Sequence, residues 1–232
     1  MKAFVITLFN DKYSVESAER CIKSARQLDV DQDLHIEMVR AVTPDKIKDN
    51  TYSYPAEGET STYEGMTLIG YKAKDVSKKI ACSLSHMQLW NKCVEMDEPI
   101  MILEHDAIFT RRFRLGKLLK VMEDGDVVMI NDPRGATRRG NLYHDNIIRW
   151  DTGVNVIDGV NNPDENVPDG LAGNSAYIIT PAAAKKAYEL QSTIGIWPND
   201  ALLCKQLFPR KLKSYYPYIT RVEQRKSTTT GY

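Results

Sequence analysis

The 232-residue sequence predicts an α/β protein organised around a mostly parallel sheet. Three observations carry that prediction. Apolar runs of strand length at residues 3–9, 100–103 and 126–130 lack the polar alternation of a half-exposed sheet, so they read as strands covered on both faces. Amphipathic stretches of helical length at 15–28, 76–96 and 181–190 are interspersed with them, the rhythm of βαβ units. The third observation is Pro99-Ile-Met-Ile-Leu-Glu104-His105-Asp106, an apolar run that stops at two carboxylates flanking a histidine. The carboxyl end of a buried strand is where open α/β sheets bind ligands. Carboxylates clustered there hold a divalent cation or position a polar substrate.

Taken in order, residues 3–9 form the first strand and 15–28 an amphipathic helix, with Ser14 as its cap. A second strand spans 34–39, and Ala41-Val42-Thr43-Pro44-Asp45 is a turn. Residues 50–71 are rich in Gly, Thr, Ser, Tyr and Glu without a clear period, and read as a functional loop rather than a linker. The helix at 76–96 leads into the strand at 100–103. A helix at 115–123 precedes the strand at 126–130, and residues 131–173 are irregular, with scattered Gly and Pro. A strand at 175–179, a helix at 181–190 opened by Pro181, a helix at 199–207 and a strand at 214–220 complete the pattern.

Lys plus Arg and Asp plus Glu number 31 each, so no global charge draws the chain to nucleic acid or membrane. Four cysteines without a CxxC pair, two of them inside the helix at 76–96, read as reduced packed thiols. No apolar run approaches the roughly 18 residues of a membrane span. The apolar start, Met1-Lys-Ala-Phe-Val-Ile-Thr-Leu-Phe, is too short for a signal sequence and lacks a small-residue cleavage site, so the chain reads as cytoplasmic.

Residues 79–90, Lys-Ile-Ala-Cys-Ser-Leu-Ser-His-Met-Gln-Leu-Trp, followed by Ile102-Leu-Glu-His-Asp106, resemble glycosyltransferase family 25, the lipopolysaccharide-biosynthesis and procollagen galactosyltransferase group. The family pattern is close to G-E-I-G-C-x-L-S-H-x-x-x-W, then I-L-E-D-D. Val5-Ile-Thr-Leu8, Ala41-Val42-Thr43, Ala176-Tyr-Ile-Ile-Thr-Pro-Ala-Ala-Ala184 and Pro198-Asn199-Asp200 resemble further family elements, in the right order. The resemblance implies a GT-A-like fold in one domain, 1–232, with a nucleotide-sugar-binding half (1–130) and a loop-rich acceptor-binding half (131–232). It also implies a UDP-sugar donor, Mn²⁺ or Mg²⁺, a glycan or glycolipid hydroxyl as acceptor, and inversion at the anomeric carbon.

On this resemblance Thr7, Leu8, Asn10, Thr43, Lys79, Ser85 and Glu104 bind the donor, while Asp106, Glu104 and His105 are the metal candidates. Asp106 is the expected direct ligand, with Glu104 contacting ribose or a metal-bound water. A cation there offsets the charge that grows on the departing diphosphate. Lys79, Ala81 and His105 depart from the pattern, which has an acid, a glycine and an acid at those places. If the strand persists through Asp106, alternation turns His105 away from the two acids. If the chain has already turned, the imidazole joins the metal shell and favours Mn²⁺ over Mg²⁺. Inversion needs a base for the acceptor hydroxyl; Asp200 is the candidate, with helix capping by Asn199 or Asp200 as the alternative. Arg20 reads as a diphosphate contact or a surface charge. His86 reads as a hydrogen-bonded histidine fixing its helix to the sheet or as a catalytic one, and Trp90 and Val94 as core.

Seven bases between Lys205 and Lys226, interleaved with Tyr215, Tyr216 and Tyr218, suit a phosphate-bearing acceptor or form a solvated tail. Arg134, Arg138 and Arg139 are a second candidate for phosphate contact. Three functions follow: glycosyl transfer to a glycan or glycolipid, the same transfer to a modified nucleic-acid base as in some phage enzymes, and a non-catalytic sugar-nucleotide-binding module.

Overall fold

The computed structural model describes residues 1–30, 34–47, 52–55, 58, 60–70, 75–134, 140–147, 151–157 and 174–223. The chain begins with β1 (Lys2–Thr7), α1 (Lys12–Gln27), β2 (His35–Arg40) and a 3₁₀ turn (Pro44–Lys46). A hairpin of β3 (Thr60–Tyr63) and β4 (Met66–Ile69) precedes α2 (Val76–Met96), β5 (Ile100–Glu104) and β6 (Ala107–Phe109). Then follow α3 (Leu115–Val121), β7 (Val127–Met129), α4 (Gly140–Ile147) and β8 (Gly153–Val156). The chain continues through β9 (Ala176–Ile179), α5 (Pro181–Ile194), α6 (Asn199–Leu202), β10 (Leu212–Tyr216) and β11 (Thr220–Val222).

Seven strands form the main sheet in the order β2-β1-β5-β9-β7-β10-β8. The β1–β2, β1–β5 and β7–β10 pairs are parallel, while β9 runs antiparallel between β5 and β7 and β8 runs antiparallel on the far edge. The α/β class and the mostly parallel sheet are therefore those the sequence predicts. Alternation along the buried strands divides the core in two. Phe4, Ile6, Ile100, Ile102, Met129 and Tyr177 face α2 and α5. Ala3, Val5, Met101, Leu103, Val128 and Ile178 face α1 and α3. Apolar runs pack on both faces, which is why they carry no polar alternation.

Several local expectations are corrected. The cap of α1 is Asp11, whose carboxylate accepts from the Ser14 N–H, while the Ser14 hydroxyl accepts instead from Leu8 N at 2.9 Å. The region read as a loop at 50–71 contains the β3–β4 hairpin, turned by Glu64 and Gly65, both at positive φ. The strand expected at 214–220 is two strands. Pro217 supplies no N–H, and β11 leaves the main sheet to pair with β6. The last helix stops at Leu202 rather than 207, and Val94 is exposed instead of core. The four cysteines are free, as expected. No helix among the described residues is long and apolar enough to cross a membrane.

Candidate active site

The parallel strands β2, β1 and β5 end side by side, with Ile6 level with Glu104 and Thr7 level with Arg40. The chain leaves β1 through α1 to one neighbour and reaches the other through α2, so a crevice opens at their carboxyl ends. A pocket of about 140 Å³ occupies it. Leu8, Val42, Glu104 and His105 line it from the strand ends, and Cys82 and His86 from α2. Lys78, Ala81, Cys82, Ser85 and His86 recur at helical spacing along that wall.

Hydrogen bonds fix the wall. Asp75 caps α2 by accepting from Ser77 N at 3.0 Å. The Ser85 hydroxyl donates to Ala81 O at 2.8 Å and accepts from Val42 N at 2.9 Å, pinning the turn after β2 to the helix. Ser85 therefore shapes the pocket with both of its hydrogen-bonding roles engaged. His86 is fully buried; its Nδ1 lies 2.8 Å from Tyr177 Oη and its Nε2 3.4 Å from Glu104 Oε1. It thus fixes α2 against β9, with its other edge turned to the acidic strand end.

The strand ends at Glu104, and His105 and Asp106 form a turn before β6. This overturns the condition under which His105 would point away: the imidazole lines the pocket and meets Tyr13 edge-on, with ring centroids 6.3 Å apart. Burial pulls its pKa below the ordinary histidine value, against the charges of Glu104 and Asp11. The two acids differ. Burial raises Asp106 to about 7, and the charge of Glu104 adds to it. Burial also pulls Glu104 upward, but the close approach of His86, with His105 and Lys79 beyond it, outweighs the burial and leaves Glu104 below the usual carboxylate value. Asp106 Oδ1 is buried without a hydrogen-bond partner among the described residues. An orphaned carboxylate oxygen held beside a second carboxylate fits a hard divalent cation. The ligand atoms of Cys82, His86 and Glu104 also lie within 4.8 Å of one another.

Asp200 approaches from the other side. Gln191 in α5 holds the preceding loop by accepting from Trp197 N and donating to Trp197 O, each at 2.7 Å. Ser83 in α2 donates to the same carbonyl at 3.1 Å. Burial raises the Asp200 pKa, Lys79 opposes the rise and Glu104 reinforces it, so the three side chains share one electrostatic site.

Lys79, Glu104, His105, Asp106 and Asp200 are thus brought together, with Leu8 and Ser85 in the pocket wall. Thr7 is fully buried, and its hydroxyl donates to Val5 O. Thr43 precedes the 3₁₀ turn and hydrogen-bonds Asp45, and Asn10 is exposed before α1. Arg20 pairs with Glu223 at 3.0 Å and donates to Ser17. Cys82, Tyr177 and Gln191 were missed. The i, i+4 spacing of Cys82 and His86 was the available signal for the first; Tyr177 acts through a partner 91 residues away, and Gln191 through the backbone of the loop that follows its own helix.

The basic stretch near the carboxyl end does not form one face. Lys213 is buried against Asp126 at 2.7 Å and Lys211 pairs with Glu123 at 2.9 Å, at the start of β7. Arg221 instead lines a cleft of about 710 Å³ with Arg20, Lys23 and Arg134. Arg134 itself is tied to Asp132. Arg138, Arg139, Arg225 and Lys226 lie outside the described residues.

Among solved structures, the galactosyltransferase LgtC in complex with donor and acceptor sugar analogs is similar at 10% identity and a TM-score of 0.42, covering 92% of this chain and 73% of that one. The apo structure of the bifunctional glycosyltransferase WbbM is similar at 11% identity and a TM-score of 0.46, covering 94% of this chain but only 38% of that one. No curated protein matches the sequence. The pattern of glycosyltransferase family 25 (LPS biosynthesis protein), however, matches residues 1–203, a span that includes the crevice, Glu104, Asp106 and Asp200. The chain belongs to glycosyltransferase family 25.

Proposed function

We propose that this glycosyltransferase moves a sugar from a UDP-linked donor to a hydroxyl of a glycan or glycolipid, with a divalent cation and with inversion. The observation that carries the reading is the acidic strand end beside the crevice, which Glu104 lines, above all the partnerless Asp106 Oδ1 in the turn that follows. In this reading the uridine enters the pocket between Leu8, Val42 and α2. Asp106 and Glu104 hold the cation, with His105 beside them. A cation bound there supplies the positive charge that offsets the leaving diphosphate. Mn²⁺ suits this mixed oxygen and imidazole set better than Mg²⁺.

Asp200 serves as base. It takes the proton of the acceptor hydroxyl as that oxygen bonds to the anomeric carbon and the bond to the diphosphate breaks. A burial-raised carboxylate is a better proton acceptor near neutral pH than an ordinary one. The whole chain acts as one domain, residues 1–130 serving the donor and 131–232 the acceptor. The cleft where Arg20 and Lys23 of the first half meet Arg221 of the second suits an anionic part of that acceptor. The family's role in LPS biosynthesis favours a glycolipid acceptor and gives a nucleic-acid base no support.

Thermal shift against a panel of UDP-sugars with Mn²⁺ tests the donor, since a ligand that binds the folded chain raises its melting temperature. Stabilisation that needs both nucleotide and cation is expected. Stabilisation by nucleotide alone, equal with and without Mn²⁺, contradicts the cation's role.

A further inference from the structure

Each ring nitrogen of the wholly buried His86 faces one group. Nδ1 meets Tyr177 Oη at 2.8 Å, and the two rings stack with centroids 5.8 Å apart and planes 10° apart. Trp90, one turn further along α2, donates its indole N–H to the same hydroxyl at 2.9 Å. An indole nitrogen only donates, so the phenolic oxygen already accepts one hydrogen bond. Its own proton then requires an acceptor, and His86 Nδ1 is the one the geometry offers. Were Nδ1 protonated, two N–H groups would converge on Oη and the phenolic proton would be stranded in the core, a costly arrangement. Nδ1 is therefore the acceptor, and neutral His86 carries its proton on Nε2. That nitrogen has no hydrogen bond of good geometry among the described residues and lies 3.4 Å from Glu104 Oε1.

We infer that Trp90, Tyr177 and His86 form a buried chain that sets the histidine tautomer and thereby holds the Glu104 carboxylate toward the donor crevice. The three are positioning residues, and the inference rests on the reading of Glu104 as a donor-site group. The 3.4 Å separation is long for a hydrogen bond. Separations of this kind commonly tighten once a substrate is bound. Only about a third of the Glu104 side chain is exposed, 35%, so a fixed donor on its inner side restricts its rotamers.

The same atoms admit a competing reading, a soft-metal centre of Cys82, His86 and Glu104. Metal binding through Nε2 requires that nitrogen to be free of its proton, which moves the proton to Nδ1 and strands the phenolic hydrogen. Burial also pushes the Cys82 thiol far up, away from the thiolate that a metal needs. The hydrogen-bonded chain is the reading that keeps the phenolic proton of Tyr177 paired and turns the Nε2 proton toward Glu104.

Two measurements on the full chain test it. Nitrogen-15 NMR of the histidines in metal-free protein should find His86 as the Nε2–H tautomer in the wild type and as a mixture in Tyr177→Phe. Calorimetry of UDP with Mn²⁺, well below the melting temperature, should find Tyr177→Phe weakened by roughly 10- to 100-fold, the usual cost of removing a group that orients a ligand residue. His86→Gln, which keeps an amide N–H near Nε2, should recover part of the affinity lost in His86→Ala. A purely structural role would lower the melting temperature of Tyr177→Phe without changing that affinity. An Nδ1–H tautomer in the wild type, unchanged affinity in Tyr177→Phe, or stoichiometric zinc in the purified protein would each overturn the inference. Glu104→Ala separates the two levels. If it loses affinity while Tyr177→Phe does not, the chain alone fails; if it keeps full affinity, the underlying reading of Glu104 fails with it.

Discussion

Substituting Asp106 by Asn should stabilise the metal-free protein at alkaline pH while removing the cation-dependent nucleotide binding proposed for the wild type. The folded chain holds Asp106 at a pKa of about 7, against an ordinary 3.8. Between those values the folded state keeps a proton that the unfolded chain releases, so stability falls as pH rises, and the loss is complete above about 7. At 1.36 kcal/mol per pH unit the shift corresponds to about 4 kcal/mol. Solvent reaching this partly exposed carboxylate reduces it to about 2–3 kcal/mol. For a chain of this length that is roughly 5–10 °C in melting temperature. Asn carries no charge, so Asp106→Asn should melt higher than the wild type by that amount at pH 8 in EDTA and nearly equal at pH 4. Differential scanning calorimetry at the two pH values reads the stability, and UDP titration with Mn²⁺ reads the function. A variant that melts lower than the wild type at pH 8, or binds UDP with Mn²⁺ as well as it does, would refute the reasoning.

Other perturbations act on different parts of the account. Asp200→Asn should lower kcat by roughly 10²- to 10⁴-fold, the usual contribution of a general base, with the UDP Kd unchanged; a rise in Kd with normal kcat would favour a capping role. Lys213→Ala leaves the wholly buried Asp126 with only the more distant Lys211, at 3.8 Å, as cationic partner. Chemical denaturation should register a loss of about 3 kcal/mol, and a loss below 1 kcal/mol would mean that the pair is inert. Ser85→Ala strips Val42 N of its acceptor and should cost about 1 kcal/mol in stability and several-fold in UDP affinity. Equal affinity in that variant would show that the turn after β2 does not shape the donor pocket. Replacing Lys23 and Arg221 together by Ala should raise the acceptor KM without altering the UDP Kd, as steady-state kinetics with each substrate varied would reveal.

The helix Val76–Met96 and the strand at its end were legible because their signals are local. A two-face buried strand is continuously apolar, and its abrupt stop at Glu104 marks the carboxyl end of the strand. The hairpin at Thr60–Ile69 was not legible, because Thr, Ser and Tyr on a half-exposed ribbon carry little hydrophobic period. The strand at 175–179 was legible as β9, but its direction was not, because an apolar run reads equally well either way. Its antiparallel seat between β5 and β7 depends on the route the chain takes after β7. The site shows the same division. Glu104, Asp106 and Asp200 lie in recognisable motifs, whereas Tyr177 and Gln191 work through partners 91 and six residues away. The basic stretch near the carboxyl end misled because charge along the sequence says nothing of which strand end each residue reaches. Lys213 is buried in an ion pair, while Arg221 lines an open cleft.

A crystal structure of the chain with UDP and Mn²⁺ tests the central claim most directly. The account predicts the uridine between Leu8, Val42 and α2, with the cation bonded to Asp106 Oδ1 and the diphosphate facing Asp200. Nucleotide seated elsewhere, such as against Arg20 and Arg221, with Asp106 Oδ1 touching neither metal nor phosphate, would contradict it.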